Sequence, residues 1–312
     1  MFKYLRLSIT DRCNFRCIYC MPEEGICKQS HQNILRYEEL ADIVKAALNC
    51  GVEQVRITGG EPLIRAGVVD FIKSIAILPG LKDLCLTTNA SRLATMAHSL
   101  KSAGLHRVNI SLDSLDKENF RKITRNGDLE QVLAGIDAAI ANDLMPVKIN
   151  VVLIPGLNEH EIPDFVRFAS ENPVTVRFIE RMPFEGAKNE NSFISERQVL
   201  EIIQNICELE TANEDNSYGP AHSFRIIGGK GKIGFISPRT RPFCQNCQRL
   251  RLTSTGFLLP CLDSDLGVKV RGKSVAEIEQ IIKELYAKKH SWRKSKACFG
   301  TTFDSSLSKI GG

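Results

Sequence analysis

Cys13, Cys17 and Cys20 stand in the run Ser8-Ile9-Thr10-Asp11-Arg12-Cys13-Asn14-Phe15-Arg16-Cys17-Ile18-Tyr19-Cys20, a C-x3-C-x2-C spacing. Three close thiolates can hold three irons of a cubic iron–sulfur cluster, whereas a cluster held wholly by protein takes four. The remaining iron keeps a position open for another molecule, and open positions mark catalytic rather than structural metal sites. Half a zinc site and buried free thiols are the competing readings. The spacing, with the aromatic Tyr19 before the last cysteine, favours the cluster. A second triplet, Cys244, Cys247 and Cys261, has the spacing C-x2-C-x13-C. Its C-x2-C alone also fits a zinc knuckle or a redox pair. A zinc site would want a fourth ligand, for which His222 and Cys298 stand at unusual spacings. Arg249 and Arg251 follow at once. On a strand they would point the same way, toward an anion that also approaches the second triplet.

Those residues need a scaffold. The first triplet follows the apolar-alternating run 5–9, which reads as a strand. Its thiolates then leave a strand's C-terminal end, where barrels and open α/β sheets put their chemistry. Further strands are predicted at 54–58, 83–88, 107–111, 147–153 and 174–179, with helices at 37–49, 67–78, 91–103, 129–142 and 159–170. Gly51, Gly80 and Gly104 follow three of these helices as C-terminal caps would. Repeated βα units imply a parallel sheet, and six are too few for the usual closed eight-stranded barrel. The expectation is an α/β fold, a partial (β/α)6 TIM-like barrel. The pattern breaks after Met182, so 1–182 is expected as the barrel and 183–312 as an α+β extension closing its open side. That extension carries a helix at 195–206, strands near 223–227 and 232–237 joined by Gly228-Gly229-Lys230-Gly231, and a last helix at 275–288. The basic run 288–296 reads as a solvated helix end.

Composition sets the bounds. The 312 residues are 43% hydrophobic and 25% charged, ordinary globular material. A net charge of +5 fits an anionic ligand better than a genome-wide nucleic-acid binder with its concentrated basic stripe. The first residues lack a signal peptide's apolar core, and no apolar run reaches membrane-spanning length. A cytoplasmic protein that binds neither membrane nor nucleic acid is expected. Eleven cysteines in such a chain point to metal or catalysis before disulfides. Outside the triplets, Cys27, Cys50, Cys85, Cys207 and Cys298 are expected to be mostly small core hydrophobes.

The first triplet resembles the radical S-adenosylmethionine superfamily, as does Gly59-Gly60-Glu61-Pro62. Both triplets together, Val108-Asn109-Ile110-Ser111-Leu112-Asp113, Arg177-Phe178-Ile179-Glu180-Arg181-Met182 and the ending Lys309-Ile310-Gly311-Gly312 resemble the GTP 3',8-cyclase family of molybdenum cofactor biosynthesis over nearly the whole chain. The resemblance implies two 4Fe-4S clusters, one on Cys13, Cys17 and Cys20 and one on Cys244, Cys247 and Cys261. It implies S-adenosylmethionine at the first, contacted by Tyr19, Gly60, Ser111 and Met182, and GTP at the second. Arg6, Arg56, Thr87, Lys148, Arg177 and the segment Arg249, Leu250 and Arg251 would hold the nucleotide, and the tail Gly311 and Gly312 would be needed for activity. The residues agree in one respect: Arg6, Arg56, Lys148 and Arg177 each interrupt an apolar strand. Charges are rarely buried unpaired, and a triphosphate suits arginine. Gln54 stands where the family often has a basic residue, and Ala90 where glycine is usual.

The implied reaction is radical. Reductive cleavage of S-adenosylmethionine gives a deoxyadenosyl radical that takes hydrogen from the ribose 3' carbon, and the sugar radical attacks guanine C8. The clusters must then face one cavity from opposite ends. The implied partners are a flavodoxin- or ferredoxin-like reductant, a downstream cyclic pyranopterin monophosphate synthase and a second copy of the chain. A peptide-modifying radical enzyme is disfavoured because three cysteines, not more, lie together in the C-terminal region. A non-catalytic iron–sulfur or zinc protein is the reading from another class.

Overall fold

The computed structural model describes residues 1–25, 28–182, 193–212, 219–262 and 267–295. Six βα units come first: β1 (Tyr4–Ser8), α1 (Tyr37–Asn49), β2 (Gln54–Thr58), α2 (Val68–Ala76), β3 (Asp83–Thr88), α3 (Leu93–Ser102), β4 (Arg107–Ser111), α4 (Lys117–Thr124), α5 (Leu129–Ala141), β5 (Val147–Leu153), α6 (Ile162–Glu171) and β6 (Val174–Glu180). Gly51, Gly80 and Gly104 take positive φ after their helices, as the sequence implies. Helix α4 was not anticipated. Eight mostly polar residues carry few apolar ones, Phe120 and Ile123, and Asp116 caps the helix by accepting from the Asn119 N–H at 2.7 Å.

The C-terminal region adds α7 (Glu196–Gln204), β7 (Leu209–Thr211), β8 (His222–Ile226), β9 (Lys232–Ile236), β10 (Arg249–Leu252), β11 (Phe257–Leu259), β12 (Val268–Lys269) and α8 (Val275–Ser295). Among the described residues all twelve strands form one sheet, in the order β12-β11-β10-β1-β2-β3-β4-β5-β6-β9-β8-β7. Strand β10 runs parallel to β1, and β9 runs parallel to β6. The C-terminal region thus lends a parallel strand to each edge of the six-stranded core, so the extension borders the opening from both sides.

The parallel strands alternate, with Val152 and Ile179 the exceptions in β5 and β6. Leu5 and Leu7, Val55 and Ile57, Leu84 and Leu86, Val108 and Ile110, Ile149 and Val151, and Val176 and Phe178 join the apolar core with the helices. The residues that alternate with them are mostly polar: Arg6, Arg56, Cys85, Thr87, Arg107, Asn109, Lys148, Asn150 and Arg177. Side chains of period two line opposite faces, so the face away from the helices is a polar surface. Most of it is buried all the same.

Candidate active site

Register places the two cysteine triplets at opposite ends of β1. Cys13 lies beyond its C-terminal end. Cys247 precedes Arg249, which pairs with Tyr4 at the strand's start, and the N–H groups of Lys3 and Tyr4 donate to the Gln248 carbonyl. Strand β11 returns antiparallel, pairing Leu259 with Arg251, and so brings Cys261 back to the same end as Cys247. Five strand residues span roughly 16 Å at about 3.3 Å each, and the cationic face occupies that span.

Arg6 pairs in register with Arg56 on one side and Arg251 on the other; Thr87, Asn109 and Lys148 form a second row. Arg177 is 5% exposed, its Nε has no hydrogen-bond partner, and neither does the buried Thr87 hydroxyl. The Asn109 amide, with its oxygen turned to the guanidinium groups, accepts from Arg56 and Arg177 at 2.5 Å each. Arg107 is neutralised by Asp83, with contacts of 2.6 and 3.1 Å. Burial, then the charges of Arg177, Arg107 and Arg56, pull the Lys148 ammonium down to about 7. Burial, then Arg56 and Arg107, bring Arg177 to about 9. Burial likewise lowers Arg6 to about 10. Crowded, dehydrated cations with unpartnered donors among them describe a surface built for a polyanion.

At the C-terminal end, Gly59 and Gly60 follow β2. A Cβ on Gly60 would lie 2.2 Å from the Arg12 carbonyl oxygen. The Gly60 and Glu61 N–H groups donate to the Thr10 and Arg12 carbonyls at 2.8 and 2.7 Å. The glycine pair therefore lets the strand end press against the backbone of the cysteine loop. Glu61 is buried and accepts from the Thr88 hydroxyl (2.7 Å), the Asn89 N–H (2.7 Å) and the Leu63 N–H (2.9 Å). Asn89 donates to Asn14 at 2.9 Å and reaches the Cys13 sulfur at 3.9 Å. Ala90 adopts φ 60°, the conformation glycine takes freely, so this turn accommodates the alanine. Tyr19 donates its hydroxyl to Asp113 at 2.6 Å. Ser111 ends β4, and Met182 lies just past β6, so Tyr19, Gly60, Ser111 and Met182 share this end of the sheet.

Both triplets are partly exposed free thiols. Burial, then the nearby charges of Glu61 and Cys20, push the Cys13 thiol up to about 12 against the Phe15 N–H. Burial, Asp113, Cys20 and Cys13 also raise Cys17 well above the usual thiol range. These sulfurs sit close enough to repel one another as thiolates, and a bound cationic cluster removes that penalty. Among the described residues no three His, Cys, Asp or Glu side chains converge as a single ion requires. A cubic cluster takes each thiolate on a different iron, and each triplet supplies three free thiols, so the donor set fits that group. His222 is engaged elsewhere, with Nε2 2.7 Å from Glu196. At the second triplet Arg249 Nε donates to Cys247 Sγ at 3.3 Å. Burial by itself would raise that thiol, but Arg249 and then Lys289 bring it to about 6.

Several expectations change. The Leu250 side chain is fully buried on the apolar face, which leaves its backbone beside the arginines. Lys289, expected in solvent, is 2% exposed. Cys50 and Cys85 are buried, but Cys85 lies on the polar face and receives the Arg56 Nε–H at 3.2 Å. Gln54 donates to Asp83, which Arg107 also holds. Cys27, Cys298, Gly311 and Gly312 lie outside the described residues. Asn109 and Asp113, quoted only as part of a family-like segment, and Arg107 and Asp83 were given no role by the sequence. The alternation Arg107-Val-Asn109-Ile-Ser111 was the signal for Arg107 and Asn109.

An open parallel barrel with a C-x3-C-x2-C loop at its C-terminal end is the design of radical S-adenosylmethionine enzymes. The family model "Radical SAM superfamily" matches residues 7–169, and "Molybdenum Cofactor Synthesis C" matches 174–297. The crystal structure of Streptococcus suis SuiB bound to S-adenosylmethionine shares the fold, with a TM-score of 0.61 at 17% identity over 84% of this chain and 60% of that one. GTP 3',8-cyclase of Alkaliphilus oremlandii is 48% identical over 84% of this chain and 81% of the relative. That of Geobacter sulfurreducens is 45% identical over 99% and 96%. The chain belongs to the GTP 3',8-cyclase family.

Proposed function

We propose that this enzyme converts GTP to (8S)-3',8-cyclo-7,8-dihydroguanosine 5'-triphosphate in molybdenum cofactor biosynthesis. The observation that carries the reading is a buried cationic face, with Arg177 Nε and the Thr87 hydroxyl unpartnered, lying between two cysteine triplets. Cys13, Cys17 and Cys20 hold one 4Fe-4S cluster and Cys244, Cys247 and Cys261 another. When bound, the first cluster and S-adenosylmethionine supply the one-electron chemistry that opens the reaction at the ribose. The chain's own groups position and shield. Tyr19, Gly60, Ser111 and Met182 surround S-adenosylmethionine. Arg6, Arg56, Thr87, Lys148 and Arg177 neutralise the triphosphate, and Arg249 and Arg251 face the nucleotide at the second triplet. Gly311 and Gly312 are needed for activity.

The division at Met182 separates the half that starts the radical from the half that holds the second cluster. A low-potential flavodoxin- or ferredoxin-like protein donates the electron, and cyclic pyranopterin monophosphate synthase takes the product. Homodimerisation and a cytoplasmic location belong to the same proposal. No helix among the described residues is long and apolar enough to cross a membrane. Anaerobically reconstituted protein with dithionite, S-adenosylmethionine and GTP is expected to give 5'-deoxyadenosine together with a cyclised guanosine triphosphate. Deoxyadenosine formed equally well without GTP would overturn the substrate. Cys244→Ala is expected to abolish cyclisation while the first cluster's spectrum persists.

A further inference from the structure

The junction of α8 with the second cysteine triplet holds a charge that the sequence assigns to water. Lys289 is buried, its Nζ 3.5 Å from Cys247 Sγ and 2.7 Å from the Arg249 carbonyl oxygen. The same ammonium lies 5.1 Å from the centre of the Phe2 ring, and Phe2 packs edge-on against Tyr286 at 5.2 Å. The chain's second residue, the approach to β10 and the last helix therefore meet at this one cation. Arg249 Nε approaches the same sulfur from β10, so two cations from different elements converge on a single cysteine. A buried ammonium is costly unless it meets negative charge. A metal-bound thiolate within reach of the ammonium supplies such charge.

We propose that Lys289 is a positioning residue for the second cluster, clamping the Cys247 sulfur in place and favouring the cluster's reduced state. The proposal rests on the reading of Cys247 as a cluster ligand. Hydrogen bonds and charge at the sulfurs set the potential of such centres. In the step concerned no bond forms or breaks. One electron from a low-potential reductant enters the cluster, its negative charge grows by one, and the fixed ammonium favours that product. Lys289 also ties α8, and so the origin of the tail beyond it, to the state of this cluster.

The test is a dithionite titration of the reconstituted full chain followed by electron paramagnetic resonance, with iron counted beforehand. About eight irons per chain, falling to about four in Cys247→Ala, establish the second centre. If Cys247→Ala keeps the wild-type iron, the ligand reading fails, and this inference with it. With the centre established, Lys289→Met is expected to make its reduction at least tenfold less favourable, a negative shift of about 59 mV for one electron. Lys289→Arg should recover most of the loss, and the first cluster's midpoint should not move. A Lys289→Met midpoint within twofold of wild type overturns the role of Lys289 while leaving the ligand reading intact. Should Lys289→Met lose the second centre or the fold, Lys289→Arg decides. Restoration supports a requirement for charge, and failure to restore overturns it.

Discussion

Lys148 shows what the cationic face does to a single residue. Burial and the guanidinium groups of Arg177, Arg107 and Arg56 lower its ammonium from 10.5 to about 7. The folded protein then binds fewer protons than the unfolded chain between about 7 and 10.5, so the ligand-free protein gains stability as pH rises through that window. A bound polyanion works the other way, raising Lys148 again. Nucleotide binding above pH 7 is thus expected to take up a proton. Affinity should fall by up to about tenfold per pH unit above 7, the limit for one linked proton. Calorimetry in two buffers of different ionisation enthalpy checks this, and Lys148→Met should flatten the slope; a pH-independent affinity in the wild type would contradict it. Residues of this kind were legible only in part. Arg6, Arg56, Lys148 and Arg177 stood out because charge interrupts an apolar alternation. Asn109 did not, because a neutral amide in a strand says nothing until the two guanidiniums it bridges are seen. Lys289 misled, because a lysine within a basic run looks the same whether its ammonium meets water or a sulfur.

At the scale of elements, the loops at the C-terminal end of the sheet are joined through Glu61. Its carboxylate takes the Thr88 hydroxyl and the Asn89 and Leu63 N–H groups, joining the exits of β2 and β3, and Asn89 carries the link to the cysteine loop through Asn14. Removing the carboxylate strands three buried donors, each costing about 1–3 kcal/mol. Glu61→Ala is therefore expected to lose about 3 kcal/mol in urea unfolding and to retain less iron at the first triplet than at the second. A loss under about 1 kcal/mol would show that water replaces the carboxylate and that the clip is dispensable. The six βα units were readable because alternation and glycine caps are local signals. Helix α4 was not, since it is eight mostly polar residues long, too short for its apolar face to stand out. Strand β10 was readable only as a conditional: Arg249 to Leu252 becomes a strand by pairing with β1, a partner at the other end of the chain.

Among the described residues the strands form one sheet whose two ends come from the C-terminal region, and this bears on what the boundary at Met182 means. Residues 1–182 alone would keep β1 and β6 but lose β10 and β9, the strands that cover their outer edges. They would also lose α8, which packs on α1 and holds Phe2 through Tyr286. Two long parallel edges rich in unpaired N–H and C=O groups are sites for association. The cationic face would open as well, without the β10 arginines that continue it. The strand pairing therefore argues that the two parts fold together. A fragment of residues 1–182 is expected to aggregate or to unfold without a cooperative urea transition. Co-expression with residues 183–312 should restore soluble protein in which the two pieces copurify. A soluble 1–182 monomer with a sharp transition would show instead that the six βα units are self-sufficient. The edge strands would then be additions to a finished barrel, and the second triplet would be attached to the first by docking alone.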